Sequence, residues 1–410
     1  MRDQLAKIRK LVDEISGRNP FYSQKLKGLK FDSLDEFRER APFTFKQELI
    51  DDQRAHPPYG SNLTYPLDQY TRFSQTNGTT GAPLRWLDTP ESWDWMVGNW
   101  MRVFQSAGVR TGDRVFFAFS FGPFLGFWVA FDAATRLGCL SIPGGGMRSA
   151  ARLHSILENR ATVLCCTPTY ALRLGESAIE EGIDISGSSV RNIVVAGEPG
   201  GSIRGTQARI QDLWRGARVV DHHGMTEVGP VSYACPKRER VLHVIESAYF
   251  AEVIEPASGL AVSPGEKGEL VLTNLGRLGS PLVRYRTGDI VERSASEQCE
   301  CGSDDLALEG GILARTDDMV VIRGVNLYPS AIEDIIRACD GVAEYRVEIQ
   351  TARALPEVSI QVEPTHEDAG LVHRLEAALR SAFGLRIPVA LTAEGSLPRF
   401  EMKAQRWVRV

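Results

Sequence analysis

Ser74-Gln-Thr-Asn-Gly-Thr-Thr-Gly-Ala-Pro83 places two glycines and four hydroxyl residues within ten positions. Gly78 and Gly81 lack the Cβ atoms that would keep a backbone away from phosphate, so N–H groups and hydroxyls here can gather around an anion. The spacing is not that of a Walker-type loop: the G-x-x-x-x-G-K-[ST] pattern is absent, and Ala82 stands where a lysine would be expected. Taken alone, the segment fits a hairpin turn as well as a nucleotide site. The choice depends on what surrounds it.

The 410 residues exceed one ordinary core and imply two or three domains. Apolar residues make up 43% and charged residues 24%, the balance of a soluble globular chain, and a formal charge of -5 argues against nucleic acid as the main partner. The opening segment, Met1 to Lys10, is charged and helix-like, so no cleavable signal is expected. The most apolar segment, Val115 to Ala134, is interrupted by Ser120, Gly122, Pro123, Gly126 and Asp132; this suits buried strand and helix edges better than a membrane span. Seven cysteines in so long a chain do not suggest a disulfide scaffold, and a cytoplasmic location is expected. Cys139, Cys165, Cys166 and Cys339 sit in apolar surroundings and read as buried thiols.

Residues 1–50 read as mainly helical, with an apolar period in Leu5, Ile8, Leu11, Val12 and Ile15. From about 88 to 220 helical patterns (Trp93 to Ala107, Phe124 to Leu137) alternate with short apolar strands at Arg114 to Phe119, Cys139 to Ile142, Val163 to Thr167, Asn192 to Ala196 and Arg218 to Asp221. That rhythm implies a largely parallel sheet covered on both faces. Between about 243 and 293 strands and turns dominate. After Asp317-Asp318 the pattern becomes α+β: strands at Met319 to Ile322, Arg346 to Gln350, Val358 to Glu363 and Pro388 to Thr392, helices at Ser330 to Cys339 and Glu367 to Phe383. The expected fold is therefore α/β, with an N-terminal α/β domain at 1–316 that includes a β-rich part at about 235–300, and a smaller α+β domain at 317–410.

Four more segments carry chemistry. Val195-Ala-Gly-Glu-Pro199 ends a strand in a glycine-bearing turn, where open α/β sheets bind ligands. Asp221-His-His-Gly-Met-Thr-Glu227 follows the next strand with a hydroxyl, a carboxylate and two imidazoles. Val283-Arg-Tyr-Arg-Thr-Gly-Asp289 offers one acid on a turn, and Gly311-Ile-Leu-Ala-Arg-Thr-Asp-Asp-Met319 precedes Arg323-Gly-Val-Asn-Leu-Tyr-Pro329. Singly, each has a plain alternative: Asp289 as a turn cap, Glu227 as a solvated charge, Arg315 as one half of an ion pair.

As an ordered set these segments resemble the adenylate-forming superfamily, and within it the phenylacetate–coenzyme A ligase family. Ala41-Pro-Phe-Thr-Phe-Lys46, Cys166-Thr-Pro-Thr-Tyr-Ala171 and Leu397-Pro-Arg-Phe-Glu-Met-Lys-Ala-Gln-Arg406 resemble further motifs of that family, so the likeness runs nearly end to end. It implies a large domain that binds ATP and an acid, and a small mobile C-terminal domain. Ser74, Thr76, Asn77, Gly78, Thr79, Thr80 and Gly81 would hold the β- and γ-phosphates; Gly197, Glu198 and Pro199 would line the adenine site, with His222, His223 and Gly224 beside the nucleotide. Thr226 would touch the α-phosphate, Glu227 would help hold Mg²⁺, Asp289 would accept the ribose hydroxyls, and Arg315 would lie near ribose and phosphate. Lys403 would bridge the acid's carboxylate and the α-phosphate, neutralising charge that grows during attack. Two positions depart from the family: His223 stands where an aromatic residue commonly stacks on adenine, and Met402 stands where a glycine is expected before the lysine.

The resemblance places an aryl pocket at Phe121 and Phe124, with Gly144, Gly145, Val228, Gly229 and Pro230 nearby, although the crowding of Phe117, Phe119, Phe121, Phe124, Phe127 and Trp128 also fits plain core packing. No cation marks a second substrate carboxylate, so an aromatic monocarboxylic acid is the expected substrate. Asp317 would be the hinge, and Gly324 and Val325 would line the approach of coenzyme A. Cys299-Glu-Cys301, with Cys235 and His243 upstream, is an accepted structural zinc set in composition, though the C-x-C spacing is not that of a zinc finger; the family includes members with cysteines and a histidine at these places. ATP, Mg²⁺, coenzyme A and a structural Zn²⁺ are thus the expected cofactors. Rival readings are an adenylating enzyme serving a carrier-protein thiol or an amine, and a non-catalytic, zinc-stabilised binding protein of the same fold. Neither nucleic acid nor membrane is an expected partner, and a homodimer is open on frequency alone.

Overall fold

The structure, a computed structural model, describes residues 2–76, 83–296, 298–316, 320–322, 325–352, 355–400 and 405–410. The chain divides into two compact units, Met1–Gly146 with Asp221–Gly311, and Met147–Val220 with Ile312–Val410.

The first unit opens with four helices, α1 (Arg2–Ser16), α2 (Pro20–Lys25), α3 (Leu34–Arg40) and α4 (Lys46–Ala55). The apolar period of α1 turns Ile8, Leu11, Val12 and Ile15 onto Tyr22, Phe37, Phe250 and Val283. Asn19 and Ser33 start α2 and α3 by accepting the N–H groups of Tyr22 and Glu36. α5 (Pro90–Ser106) begins at a Thr89 cap with proline in its first turn and packs on α6 (Leu125–Arg136). Arg114–Phe117 and Leu140–Pro143 pair in parallel, with α6 as the crossover. The β-rich part is a six-stranded sheet in the order Ser232–Ala234, Val241–Val244, Ala307–Arg315, Tyr285–Arg293, Lys267–Asn274, Tyr249–Ile254.

The phosphate-loop candidate joins two antiparallel strands, Arg72–Gln75 and Arg85–Asp88, with Gln75 opposite Arg85. Its base is closed by Thr76, whose N–H donates to the Leu84 carbonyl (2.9 Å) and whose Oγ1 accepts the Leu84 N–H (3.0 Å).

In the second unit α7 (Ser149–Glu158), α8 (Pro168–Glu180) and α9 (Arg204–Leu213) alternate with the strands Val163–Cys166, Asn192–Val195 and Arg218–Asp221. Val163–Cys166 and Asn192–Val195 pair in parallel and are buried along their whole length, as unbroken apolar runs covered on both faces should be. The C-terminal lobe of this unit orders Val389–Leu391, Leu355–Pro364, Val342–Ala352 and Trp407–Arg409 into a sheet, with α10 (Pro329–Arg337) and α11 (Leu371–Phe383). Leu327, Ile332, Ile336, Val347, Ile360, Leu371, Leu375 and Leu379 form its core.

Two details differ from expectation. The helix expected from Glu367 starts at Leu371, because the Asp368 carboxylate accepts the Gly370 N–H (2.9 Å) and closes a turn there. The last residues, unassigned in the sequence, add Trp407–Arg409 as a parallel strand beside Val347, Glu348 and Ile349. Among the described residues no helix is long and apolar enough to cross a membrane.

Candidate active site

In the first unit the candidate residues gather around a short hairpin. Gly224–Met225 pairs with Gly229–Pro230, putting Thr226, Glu227 and Val228 at the tip. The glycines are needed here: a Cβ on Gly224 would lie 2.9 Å from the Gly229 carbonyl oxygen, and Gly229 holds φ +92° between Met96 and the Tyr249 ring. The Tyr249 hydroxyl donates to the Val228 carbonyl (2.8 Å).

The tip is pinned from beneath by Arg277, whose side chain has no exposed surface. Its Nη1 donates to the Thr226 carbonyl (2.7 Å) and the Glu227 carbonyl (2.9 Å), while Nε and Nη2 form a fork onto the equally buried Asp88 at 2.6 and 2.7 Å. A guanidinium so enclosed fixes the backbone of Thr226 and Glu227 without engaging either side chain. Glu227 is itself largely buried, and Lys46 Nζ lies 3.4 Å from its Oε1. Neither Arg277 nor Asp88 stood out in the sequence, and no local signal marks either.

Lys46 reaches this place because Ala41–Lys46 runs beside Val283–Arg286. The Thr44 N–H donates to the Arg284 carbonyl (2.9 Å), its hydroxyl to the Val283 carbonyl (2.7 Å), and the Arg286 N–H returns to the Thr44 carbonyl (3.0 Å). Two separate sequence motifs thus form one structure. The strand Tyr285–Arg293 also carries Asp289, 3% exposed, whose N–H donates to Thr287 Oγ1.

His223 lies against Asp289, with Nε2 2.9 Å from Oδ2, while its buried Nδ1 has no hydrogen-bond partner among the described residues. Its backbone N–H donates to Ser232 Oγ (3.0 Å). His222 behaves differently. Its Nδ1–H donates to the Ser232 carbonyl (2.7 Å), its ring lies 4.2 Å from Trp100, and burial pushes its pKa down to about 3, so it stays neutral near pH 7.

The aromatic residues form a graded cluster. Phe117 is fully buried, Phe119 stacks on Phe127 at 3.9 Å, and Phe121 stands edge-on to Trp128 at 5.0 Å. Phe121 and Phe124 remain half-buried. A Cβ on Gly144 would lie 2.6 Å from Phe116, and one on Gly145 3.2 Å from Phe121, so small residues are required where the strand ends meet the rings. Phe124 caps α6, and α6 packs against both arms of the Gly224–Pro230 hairpin. Phe121 thus meets Gly145, and the helix that Phe124 caps packs on the hairpin that holds Val228, Gly229 and Pro230.

In the second unit the turn after Asn192–Val195 holds Gly197 at φ +95° and presents Glu198, whose Oε1 accepts the Thr169 N–H (2.9 Å). This joins the Cys166–Ala171 and Val195–Pro199 motifs. Pro199 follows and opens the turn at 199–202 that leads to α9, and Arg315 ends the strand Ala307–Arg315. Val325 begins the short strand Val325–Leu327, which pairs with Val320–Ile322. Asn77, Gly78, Thr79, Thr80, Gly81, Asp317, Gly324 and Lys403 lie outside the described residues; Ser74 is buried in its strand and Thr76 closes the loop base.

Away from these groups, Cys235, His243, Cys299 and Cys301 place their donor atoms within 4.8 Å of one another. Cys235 and Cys299 sulfurs are 3.7 Å apart, and Cys301 Sγ is 3.5 Å from His243 Nε2. His243 Nδ1–H donates to the Asp305 carbonyl (3.0 Å), which leaves Nε2 as the lone-pair nitrogen facing the thiols.

Comparison with known proteins agrees with this geometry. The family of AMP-binding enzymes matches residues 73–276, and the AMP-binding enzyme C-terminal domain matches residues 324–409. Phenylacetate-coenzyme A ligase of Thermus thermophilus is 29% identical over 97% of this chain and 93% of its own length; that of Escherichia coli is 31% identical over 92% and 88%. A solved 2-hydroxyisobutyryl-CoA ligase in its postadenylation state, 28% identical, covers 99% of this chain and 89% of its own with a TM-score of 0.93; the same ligase in its thioesterification state gives 0.71. The fold and the site define an AMP-forming acid–coenzyme A ligase, which activates an acid with ATP to an acyl-adenylate and passes the acyl group to coenzyme A. The chain belongs to the AMP-binding enzyme family, in the branch that holds the phenylacetate–coenzyme A ligases.

Proposed function

We propose that the acid is an aromatic monocarboxylate of the phenylacetate or benzoate type. The observation that supports this most is the half-buried pair Phe121 and Phe124, at the head of the helix that packs on the Gly224–Pro230 hairpin, with Gly145 beside the Phe121 ring. Half-buried aromatic side chains beside glycine backbone favour a ring over a charged or branched polar acid.

In the first step a carboxylate oxygen attacks the α-phosphorus of ATP; the new C–O–P linkage forms and pyrophosphate leaves. The loop from Ser74 to Gly81 holds the departing phosphates, the Gly197–Pro199 turn takes adenine, Asp289 takes the ribose, and Thr226 and Arg315 contact the phosphate side. The Glu227 carboxylate, beside Lys46, fits a hard cation that keeps most of its ligands as phosphate and water oxygens; Mg²⁺ bound there would offset phosphate charge. Lys403 brings an ammonium between the two reacting anions. In the second step the thiol of coenzyme A attacks the carbonyl carbon, the C–O bond to phosphate breaks, AMP leaves, and the thiol proton is released.

Functionally the chain divides at 316/317: residues 1–316 bind acid and ATP, and 317–410 swing about Asp317, withdrawing Lys403 and bringing Gly324 and Val325 to the thiol's path. The three thiols and one imidazole at Cys235, His243, Cys299 and Cys301 suit a tetrahedral zinc ion, since Zn–S bonds of about 2.3 Å set sulfurs about 3.8 Å apart. Four protein ligands leave no open position, so the ion would brace the sheet. The protein would work in the cytoplasm.

A panel of aromatic and short aliphatic acids, scored by pyrophosphate release with and without coenzyme A, tests the substrate class. Aryl acids should be turned over best and should yield coenzyme A thioesters. Preference for short aliphatic acids would refute the aromatic assignment, and pyrophosphate release without any thioester would favour a carrier-protein or amine acceptor.

A further inference from the structure

Within the second unit the C-terminal lobe rests on the helices that precede it. Here α9 and α10 approach closely enough for backbone to meet backbone. A Cβ placed on Gly205 would lie 2.8 Å from the Arg337 carbonyl carbon, 2.8 Å from the Arg337 Cβ and 3.0 Å from the Ala338 nitrogen. None of these is the tip of a flexible side chain, so nothing nearby can yield. Gly205 is also the second residue of α9, a place where alanine would favour the helix more. A glycine here weakens the helix, and the contact with α10 is its evident use.

The same residue carries a second link. The N-cap of α9, Ile203, offers no side-chain acceptor to the first turn; instead Asp334 of α10 accepts the Gly205 N–H at 3.3 Å. A carboxylate at this end of the helix also meets the positive end of the helix dipole. α10 therefore both occupies the gap left by the missing Cβ and caps the helix it rests on.

Charged groups extend the contact toward the segment that carries Lys403. Arg406 donates from Nε to Glu344 (2.7 Å) and lies 3.6 Å from Glu333 of α10, while Arg337 reaches Glu344 at 3.3 Å. Arg399, on the other side of Lys403 in the chain, is paired with Glu363. Glu176 of α8 is mostly buried, with the charges of Arg337, Glu344, Arg399 and Arg209 acting on it. The charges of α10 thus reach one flank of the lysine segment directly, at Arg406. The solved ligase that matches this chain with a TM-score of 0.93 is in its postadenylation state, and the same ligase in its thioesterification state gives 0.71.

We infer that Gly205 and Asp334 are positioning residues for adenylate formation: the glycine opens a seat on α9 for the backbone of α10, and the carboxylate fastens it, so that the C-terminal lobe presents its lysine segment to the first half-reaction and not to the second. This rests on the reading of the chain as a two-step ligase whose C-terminal lobe moves between steps.

The test compares two half-reactions in Gly205→Ala, Gly205→Val and Asp334→Asn. Single-turnover formation of acyl-adenylate from acid and ATP should slow about tenfold in Gly205→Ala and more in Gly205→Val, with a smaller loss in Asp334→Asn. Thioester formation from supplied acyl-adenylate and coenzyme A should stay within about twofold of wild type. Hydrogen exchange reads the contact without catalysis: amides of α9 and α10 should exchange faster in the variants while those of α11 do not change. Equal loss in both half-reactions, or no change in either with unaltered exchange, overturns the docking role. A wild-type protein that makes no acyl-adenylate from any acid refutes the ligase reading and with it the adenylation role, whereas an active wild type with unchanged variants refutes the docking role alone.

Discussion

His223 Nε2 lies 2.9 Å from Asp289 Oδ2, and this pairing fills the place where an adenine-stacking aromatic was expected. The imidazole thereby braces Asp289, the acid proposed above to take the ribose. Its Nε2–H donates to the carboxylate, and its buried Nδ1 has no hydrogen-bond partner among the described residues.

Replacing His223 with Phe keeps a flat ring and removes the hydrogen bond to Asp289. A hydrogen bond to a charged group contributes about 1.5–3 kcal/mol, so the KM for ATP should rise about tenfold or more while kcat changes less. Steady-state kinetics at varied ATP measures this. An unchanged KM would show that Asp289 needs no such support.

Arg277→Ala should destabilise the protein by about 3–5 kcal/mol, because it leaves Asp88 charged and buried with no partner and frees the Thr226 and Glu227 carbonyls. Urea unfolding of the variant gives the value. A loss under about 1 kcal/mol would mean that the pair is not closed off from water.

The Arg277–Asp88 pair also marks how far a sequence can be read. The two residues are 189 positions apart, and each alone looks like an ordinary charge beside ordinary loops. Their meaning comes from sharing one dry space, which no local pattern records. The elements fared better, because apolar periods of 3.6 and 2 report burial directly: Arg114–Phe117, Arg218–Asp221 and Leu371–Phe383 lie where their patterns put them, apart from a turn at Asp368. For the loop after Ser74, turn and phosphate cradle looked like alternatives. Arg72–Gln75 and Arg85–Asp88 pair antiparallel and Thr76 closes the base, so hairpin pairing at this place does not exclude a cradle. The cysteine–histidine set was legible as residue types, while the approach of Cys235 and Cys299, 64 positions apart, needed the sheet.

Cys299→Ser should lower the zinc content of the purified protein and its melting temperature while leaving acyl-adenylate formation per folded molecule unchanged. Elemental analysis of wild type should find about one zinc per chain. A wild type free of zinc after metal-replete expression would refute the structural ion.

Lys403→Ala should slow acyl-adenylate formation on the order of 10²-fold or more, and should spare thioester formation from a supplied adenylate. Rapid-quench measurement of each half-reaction separates the two. Equal loss in both would contradict a lysine that serves one step and withdraws for the other.

The most direct test follows an oxygen atom. With a carboxylate labelled by oxygen-18, attack on the α-phosphorus puts a labelled oxygen in the phosphate linkage, and thiol attack on the carbonyl leaves it there. AMP recovered from thioester synthesis should carry one labelled oxygen. Unlabelled AMP, or label found in inorganic phosphate beside ADP, would contradict an acyl-adenylate as the intermediate.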